Sequence, residues 1–293
     1  MISWQDLVAE AAARFAAAEI PDPDISARWI GREATGTDSA EWLEVADQPA
    51  TERQLASFDQ MVERRLGGEP LQYVIGGWGF RTLDLFVDKR VLIPRPETEI
   101  VAERAIAELQ RVLAVEPTAP SVDLGTGSGA IGLSLAAEVG RAQRQPVEVW
   151  LTDRFPDALA VARANLASLG GLGGKVRVAE GSWFDALPAE LAGGLGVVVS
   201  NPPYVSDFED LEPQVAQWEP VTALVAPERG TAHLARLITE SPRWLVSSGA
   251  LVLEMAPDQT EPMVQLAKAK FGEVEVIVDL AGRQRGLVAR SPV

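Results

Sequence analysis

Apolar residues in the first quarter of the chain recur every three or four positions, which is the period of an amphipathic helix. This spacing predicts four helices, whose apolar faces are Trp4, Leu7, Val8, Ala11 and Phe15; Ile25, Trp29 and Ile30; Trp42, Leu43 and Val45; and Leu55, Phe58, Met61 and Val62. Gly67 and Gly68 follow the last stripe and supply a C-terminal stop for its helix. The stripes indicate a small helical unit with its own apolar core.

Further along the chain the pattern changes from helical stripes to strands. From Tyr73 to Pro94 apolar and polar residues partly alternate, which predicts a β-hairpin linker. A helix from Glu97 to about Val115 then leads into strands separated by helical segments. The predicted strands are Ser121–Leu124, Val147–Asp153, Lys175–Ala179, Gly196–Ser200, Gly249–Met255, Glu273–Asp279 and Gly286–Ala289. This order is typical of a doubly wound α/β sheet, which binds ligands at the carboxyl ends of its strands.

Composition narrows the class of protein. The 293 residues are 47% hydrophobic, which is enough for sizeable cores, and no apolar run approaches the roughly 18 residues that span a membrane. The first residues lack the basic start of a signal peptide, and the absence of cysteine excludes disulfides and thiolate metal sites. We therefore expect a soluble cytoplasmic protein with no membrane partner and no bound metal.

The segment from Asp123 to Gly132 predicts a ligand-binding turn between a buried strand and a helix. Its glycines allow positive φ and close approach of a ligand, and the amides at the helix start face the cleft. The segment fits G-x-G-x-x-A, so a dinucleotide remains open. Asp123, however, would repel a pyrophosphate and attract the ammonium and sulfonium charges of S-adenosyl-L-methionine. The candidate cofactor residues here are Asp123, Gly125, Thr126, Gly127, Ser128 and Gly129.

Two further residues predict a nucleoside site. Asp153 ends the next strand, at the usual distance after a glycine loop for a carboxylate that accepts from ribose hydroxyls. The alternative role for Asp153 is to cap the following helix, but Asp157 is available for that helix dipole. Trp183 lies just past the third strand, where its indole can stack on adenine or simply join the core.

The sequence Asn201-Pro202-Pro203-Tyr204 directly follows the apolar run that ends at Ser200. Neither proline can donate to a sheet ladder, and each keeps the preceding residue extended. The Asn201 side-chain oxygen and the Pro202 carbonyl can then point into one cleft, a pair of acceptors that suits the NH2 of an amide or of adenine. A rigid exit from the strand is the simpler alternative. Tyr204 would pack near the substrate or wedge beneath the loop.

These motifs together resemble class I S-adenosylmethionine-dependent methyltransferases, and within them the release factor glutamine N5-methyltransferases. The resemblance is clear from Glu69 to the C-terminus. It rests also on the stretches Glu69–Gly76 with Phe80, Val91–Glu99, Trp218–Pro220 and Ala223–Leu224. Met255 departs from the family, which often has His-Gly after the glutamate that Glu254 matches; we expect this change to leave the chemistry intact.

The resemblance implies a seven-stranded class I methyltransferase sheet whose last two strands form an antiparallel hairpin. It implies three parts: a helical substrate-docking domain over residues 1–72, a β-hairpin linker over 73–95 and a catalytic domain over 96–293. Gly125 to Gly129, Asp153, Trp183 and Asn201 would hold the cofactor, and Asn201, Pro202, Pro203 and Tyr204 the substrate glutamine. Of these, Asn201, Pro202 and Tyr204 would be the catalytic residues. That glutamine lies in the Gly-Gly-Gln motif of class I peptide chain release factors. His233 would be an ordinary residue of a helix that the pattern predicts from Thr231 to Leu245, and we expect a monomer.

Other functions stay open at this point. A ribosomal-protein glutamine methyltransferase and a nucleic-acid N6-adenine methyltransferase share the Asn-Pro-Pro-Tyr motif. The formal charge of −16 disfavours a phosphate-backbone partner and suits a basic protein substrate that works against ribosomal RNA. A nicotinamide oxidoreductase would fit the glycine loop but would leave Asn201 to Tyr204 unexplained. A nucleotide-sensing module without catalysis would not need the intact loop and Asn201.

Overall fold

A computed structural model of the chain describes residues 2–206 and 212–293. These residues form two compact units, one built from 2–77 and 212–218 and the other from 78–206 and 219–293. The α-helices are α1 (Trp4–Ala17), α2 (Pro23–Thr35), α3 (Trp42–Val45), α4 (Glu52–Leu66), α5 (Leu71–Ile75), α6 (Pro96–Leu113), α7 (Ala130–Ser134), α8 (Gly140–Gln143), α9 (Pro156–Ser168), α10 (Pro213–Trp218), α11 (Ala232–Glu240) and α12 (Pro257–Lys268).

The strands make one large sheet and two small ones. They are β1 (Gly77–Phe80), β2 (Leu83–Phe86), β3 (Ser121–Leu124), β4 (Val149–Asp153), β5 (Val176–Glu180), β6 (Leu195–Ser200), β7 (Val205–Ser206), β8 (Val225–Ala226), β9 (Leu245–Glu254), β10 (Phe271–Val278) and β11 (Gln284–Pro292). β1 pairs with β2, and β7 pairs with β8. Within the described residues, no helix is long and apolar enough to cross a membrane.

The first unit is helical, and its helices begin and end where local chemistry requires. α1 and α4 both start with a capping box, in which the Ser3 and Thr51 hydroxyls accept from the backbone N–H three residues on. Trp4 packs edge-on against Phe58, with ring centroids 5.6 Å apart. The remaining core is aliphatic and aromatic, and it includes Ala11, Phe15, Ala27, Ile30, Met61, Val62, Leu71 and Val74. The helical stripes of the sequence therefore form one core, as expected.

The β-hairpin is shorter than the sequence pattern predicts. Strand pairing is confined to β1 and β2, whereas Tyr73 lies in the short helix α5. The Pro70 carbonyl accepts the N–H groups of Tyr73 and Val74, and the helix ends at Gly76 with φ of 71°. Alternating apolar residues thus build one turn of helix here because a proline start and a glycine stop bracket them.

The large sheet has the strand order β10-β11-β9-β6-β3-β4-β5. The strands from β9 to β5 are parallel, and β11 pairs antiparallel with both β9 and β10. Successive residues of β6 enter opposite apolar clusters, with Val197 and Val199 on one face and Val198 on the other. Helices thus cover both faces. The predicted fold class, a doubly wound seven-stranded sheet with a small helical domain and a hairpin, is confirmed.

The helix before β9 is shorter than the sequence pattern suggests. The pattern extends it from Thr231 to Leu245, whereas α11 ends at Glu240 and a single 3-10 turn follows over Ser241–Arg243. Pro242 lacks the N–H that would donate to the Ile238 carbonyl, and its ring crowds that carbonyl, so the α-helical hydrogen bonds do not continue past it. β9 then starts at Leu245 rather than at Gly249.

The topology predicts where ligands bind. From β3 the chain goes to β4 and β5 on one side, and then to β6 and β9 on the other side of β3. The order of strands therefore reverses between β3 and β6. The crevice outside the carboxyl ends of those two strands is the usual ligand position of an open α/β sheet.

Candidate active site

A cavity of about 440 Å³ opens at this reversal point. Most of the predicted site residues line it, namely Asp123, Gly125, Thr126, Gly127, Ser128, Asp153, Trp183, Asn201 and Pro203. Gly129, Pro202 and Tyr204 are not among the lining residues. The structure therefore brings the end of β3, the end of β4, the turn after β5 and the end of β6 to one chamber.

The glycine loop turns sharply between β3 and α7. Gly125, Gly127 and Gly129 all have positive φ, at 72°, 54° and 88°. The Thr126 N–H donates to the Thr152 carbonyl at 2.8 Å, which ties the loop to β4. A Cβ at Gly129 would come within 2.8 Å of the Leu133 side chain, so Gly129 serves the turn itself.

Asp123 is buried at the base of the loop. Its Oδ2 accepts from the Thr126 hydroxyl at 2.7 Å and from the Gly132 N–H at 2.9 Å. Its Oδ1 is buried and has no hydrogen-bond partner in the described parts of the chain. Burial raises the pKa of Asp123 to about 6, against the two hydrogen bonds that lower it. A cationic ligand group beside Oδ1 would satisfy this carboxylate.

Asp153 binds the loop rather than capping a helix. Its Oδ2 accepts from the Gly127 N–H and its Oδ1 from the Phe155 N–H, both at 3.0 Å. The N-cap of α9 is Phe155, and the helix begins with Pro156, so Asp153 does not occupy the cap position. Burial raises its pKa, and the backbone hydrogen bonds oppose that shift. Asp153 thus faces the cavity from the end of β4, as a ribose acceptor would.

Trp183 lies against the glycine loop in a strained backbone conformation. Its φ is 53°, and a Cβ on Gly125 would lie 3.4 Å from the indole. A second neighbour of the indole is His233 on α11, with ring centroids 5.1 Å apart and planes inclined by 51°. His233 also lines the cavity, which our sequence analysis missed because a lone histidine in a helix carries no motif. Burial and two nearby arginines, Arg154 and Arg236, lower its pKa.

Asn201 lines the cavity directly after β6. Its Nδ2 donates to the hydroxyl oxygen of Thr98, at the start of α6, at 3.2 Å. Ser200, one residue earlier, donates its hydroxyl to the Leu124 carbonyl at 2.6 Å and so locks β6 to β3. The nitrogen of the Asn201 carboxamide therefore faces α6, and its oxygen faces the other way.

Tyr204 anchors the end of the Asn-Pro-Pro-Tyr loop below the cavity. Its hydroxyl donates to Glu254 Oε1 at 3.1 Å, and its carbonyl accepts from Gln259 Nε2 at 2.7 Å. Burial and the adjacent Glu254 raise the pKa of the phenol. The ring packs against the cluster that covers one face of the sheet. Of the two roles that the sequence left open for Tyr204, this position favours the wedge beneath the loop.

Glu254 at the end of β9 is a buried carboxylate beside the site, and no sequence pattern indicated a role for it there. It is 2% exposed, and its Oε2 has no hydrogen-bond partner in the residues described. Burial raises its pKa to about 7, while the hydroxyls of Thr98 and Tyr204 act to lower it. Only the sheet order, which sets β9 beside β6, brings this residue near Asn201.

An ion pair between a half-buried arginine and a buried glutamate joins two walls of the cavity. Glu219 accepts from the Arg95 guanidinium at 2.5 Å and from the Ile93 N–H at 3.1 Å. Arg95 and Pro220 both line the cavity. The two sequence stretches that carried part of the family resemblance, around Arg95 and around Glu219, thus meet at this ion pair.

Comparison with known proteins identifies the family. A family model described as the PrmC N-terminal domain matches residues 6–76, and one described as the methyltransferase small domain matches residues 104–218. The chain is 33% identical over 291 residues to the release factor glutamine methyltransferase of Escherichia coli (strain K12), with 99% of each chain covered. It is 36% identical over 290 residues to that of Deinococcus radiodurans, with 98% of each covered.

The chain belongs to the release factor glutamine methyltransferase family. The resemblance seen in its motifs is thereby confirmed. Among solved structures, the hMettl16 catalytic domain in complex with MAT2A 3'UTR hairpin 6 superposes with a TM-score of 0.53 at 12% identity, over 83% of each chain. This likeness concerns the fold alone.

The methyl donor of a release factor glutamine methyltransferase is S-adenosylmethionine, and the residues of the cavity fit it. The donor is a nucleoside with a cationic amino-acid tail, so its site needs an acceptor for ammonium and room against the backbone. The unpartnered Oδ1 of Asp123 provides the first, and the positive-φ glycines at 125 and 127 provide the second. Among the described residues, no lysine or arginine interacts with Asp123, so its carboxylate is left for the ammonium of the ligand.

Proposed function

We propose that this protein transfers a methyl group from S-adenosylmethionine to the side-chain amide nitrogen (N5) of the glutamine in the Gly-Gly-Gln motif of class I peptide chain release factors. One observation carries the proposal: Asn201 lines the same cavity as Asp123, and its carboxamide is held through nitrogen by Thr98. An amide acceptor and an ammonium acceptor thus share one chamber, as methyl transfer to an amide requires.

The cofactor residues divide the ligand between them. Asp123 would bind the ammonium, Gly125 to Gly129 the backbone of the tail, Asp153 the ribose hydroxyls, and Trp183 the adenine. When bound, S-adenosylmethionine supplies an electrophilic methyl group on a sulfonium. Asp123 and Asp153 complement that positive charge, and both stay largely buried so that water does not screen it.

Asn201 and Pro202 would hold the substrate amide. The lone pair of an amide nitrogen is delocalised, so the nitrogen must be oriented toward the methyl carbon and its conjugation weakened. Asn201 Oδ1 and the Pro202 carbonyl, which is bonded to the cavity-lining Pro203, can accept its two hydrogens. Their hydrogen bonds strengthen as positive charge develops on nitrogen, which stabilises the transition state more than the ground state. Neither acceptor takes the proton, which leaves to water.

The partner would be recognised by more than the cavity. We propose that the chain divides into three parts at residues 72 and 95. Its first part, which is helical, would dock the release factor in the cytoplasm. The formal charge of −16 supports a basic partner surface, because opposite charges accelerate encounter. The enzyme would act as a monomer.

The test is transfer of labelled methyl from S-adenosylmethionine to a purified class I release factor. A release factor whose Gly-Gly-Gln glutamine is changed to alanine serves as the matched control. Label on the unchanged factor alone supports both the reaction and its site. Absence of label on both factors, with cofactor binding verified by calorimetry, rejects this substrate; ribosomal proteins and adenine-containing nucleic acids would then be assayed.

A further inference from the structure

Three polar side chains, those of Glu254, Thr98 and Asn201, lie next to one another. Glu254 ends β9, Thr98 lies in the first turn of α6, and Asn201 follows β6, so three separate elements contribute one residue each. Thr98 and Glu254 are 4% and 2% exposed, so these two side chains are shielded from water. Hydrogen bonds in such a setting are directional, because no solvent molecule can replace a wrong partner.

Thr98 is the middle one of these three residues. Its Oγ1 accepts from Asn201 Nδ2 at 3.2 Å, which uses a lone pair of the hydroxyl oxygen. Its single hydrogen is then available for another acceptor. The Thr98 hydroxyl is one of the groups that lower the pKa of Glu254, and Glu254 Oε2 is buried without a hydrogen-bond partner in the part of the chain that the structure describes.

We propose that Glu254 is a positioning residue, which fixes the direction of the hydrogen bonds through Thr98 and so keeps the Asn201 oxygen turned toward the substrate amide. The inference rests on the proposed function. Above its pKa of about 7 the carboxylate is ionised and can only accept, so the Thr98 hydroxyl must donate to it. The Thr98 oxygen must then accept, and the only donor that Asn201 can offer is its NH2 group. The Asn201 oxygen is therefore left for the substrate.

A neutral group in place of the carboxylate removes this constraint. A carboxamide at position 254 can donate to Thr98, and Thr98 can then donate to Asn201 Oδ1. The carboxamide of Asn201 would rotate by half a turn and present its NH2 to the NH2 of the substrate. Two donors facing each other cannot hydrogen-bond, so the amide would lose the acceptor that stabilises developing charge.

The charged groups around Glu254 do not provide an alternative partner for its Oε2. Arg285 is the nearby cation, but it already pairs with Asp279 at 2.9 Å and with Glu97 at 3.2 Å. The Tyr204 hydroxyl donates to the other oxygen of Glu254, Oε1. That bond holds the Asn-Pro-Pro-Tyr loop and leaves Oε2 for Thr98.

The test compares steady-state methyl transfer to a class I release factor at pH 8, where Glu254 is ionised, by the wild type and by Glu254→Gln, Thr98→Val and Thr98→Ser. The inference predicts a fall in kcat of about 100-fold for Glu254→Gln and Thr98→Val, because one transition-state acceptor is lost. KM for the release factor and cofactor affinity should stay within threefold. Thr98→Ser restores the hydroxyl and should recover most of the activity that Thr98→Val loses.

A matched control is Glu108→Gln, which also neutralises a buried acid, on the same helix as Thr98 but paired with Arg111 and Arg290. It should leave kcat within twofold. The inference is overturned if Glu254→Gln and Thr98→Val keep kcat within threefold of wild type, or if Thr98→Ser is as impaired as Thr98→Val. The second result would show a packing role rather than a role of the hydroxyl.

A second readout does not depend on the substrate. Solvent exchange of the Asn201 side-chain NH2, followed by NMR in the folded protein, should be slower in the wild type and Thr98→Ser than in Thr98→Val and Glu254→Gln. Equal exchange in all four would overturn the inference even if the release factor were not the substrate. Absence of transfer by the wild type would instead reject the proposed function.

Discussion

The carboxylate of Asp153 accepts a hydrogen bond from the backbone N–H of Gly127, 3.0 Å away. The acid at the end of β4 thereby holds the loop at the end of β3. A residue expected to bind the ribose of the cofactor thus also shapes the turn that carries the other cofactor residues. Changing it should affect ligand binding by both routes.

We predict that Asp153→Ala weakens S-adenosylmethionine binding by 10- to 100-fold, while the protein still folds. Hydrogen bonds to a charged group contribute about 1.5–3 kcal/mol, which corresponds to this range of affinity. Calorimetric titration measures the affinity, and thermal unfolding measures the fold. An affinity within threefold of wild type would contradict the ribose role, and a loss of cooperative unfolding would show that the residue is chiefly structural.

Cofactor affinity should fall as the pH is lowered through the pKa of Asp123, which is about 6 in the ligand-free protein. A cationic ligand binds the ionised carboxylate, so below pH 6 one proton must be released for each ligand bound. The dissociation constant should then rise up to tenfold per pH unit, and level off above pH 7.

Calorimetry at pH 5, 6 and 7 checks the prediction for Asp123, with Asp123→Asn as the comparison. The variant should bind weakly at every pH, with a smaller dependence on pH than the wild type. An unchanged affinity of the wild type between pH 5 and 7 would show that Asp123 does not face the cation.

Glu254 should make the stability of the ligand-free protein depend on pH. Its pKa is about 7 when folded, against 4.5 for an unperturbed glutamic acid, so the folded state holds its proton more tightly. Stability from this group is complete below pH 4.5 and is lost as the pH rises to about 7, by roughly 3 kcal/mol. Glu254→Gln cannot lose a proton and should gain stability relative to wild type over that interval.

Urea unfolding of the wild type and Glu254→Gln at pH 5 and pH 8 measures this difference. The difference in unfolding free energy between the two proteins should shift in favour of the variant at pH 8. The same shift between the wild type and Glu108→Gln would indicate a general effect of neutralising an acid rather than an effect of the buried position of Glu254.

Gly132 is a position where any side chain should disturb the site. A Cβ there would meet the Leu151 side chain and would lie 3.0 Å from the Cβ of Asp123, whose carboxylate the Gly132 N–H binds. Gly132→Ala should lower the unfolding free energy by about 1–3 kcal/mol and weaken cofactor binding. Gly171→Ala, where a Cβ meets open space, is the matched control and should change neither quantity. Equal stability of the two variants would contradict the packing described.

Much of the fold could be predicted from local patterns. The helical stripes of the first unit, the alternating order of strands and helices, and the glycine loop after Asp123 all rest on residues near one another in sequence. The positions that local patterns missed depend on proline placement. Pro242 ends α11 early, and Pro70 starts a helix where alternation suggested a strand.

The candidate site was predictable where a motif spans consecutive residues and not where it is assembled by the sheet. Asp123, Asp153 and Asn201 each follow a strand, so a sheet of parallel strands brings them together. Glu254 also ends a strand, but its importance comes from Thr98 and Tyr204, which lie far away in sequence. His233 reaches the cavity only because α11 packs beside Trp183.

The central claim is that the Asn201 oxygen holds the substrate amide during transfer. The most direct measurement is single-turnover methylation of a class I release factor by the wild type and by Asn201→Ala, with mass analysis of the Gly-Gly-Gln peptide. We predict that Asn201→Ala leaves much of the cofactor affinity but methylates the peptide at least 100-fold more slowly, because an acceptor of the transition state is removed. A rate within a few-fold of wild type would contradict the claim.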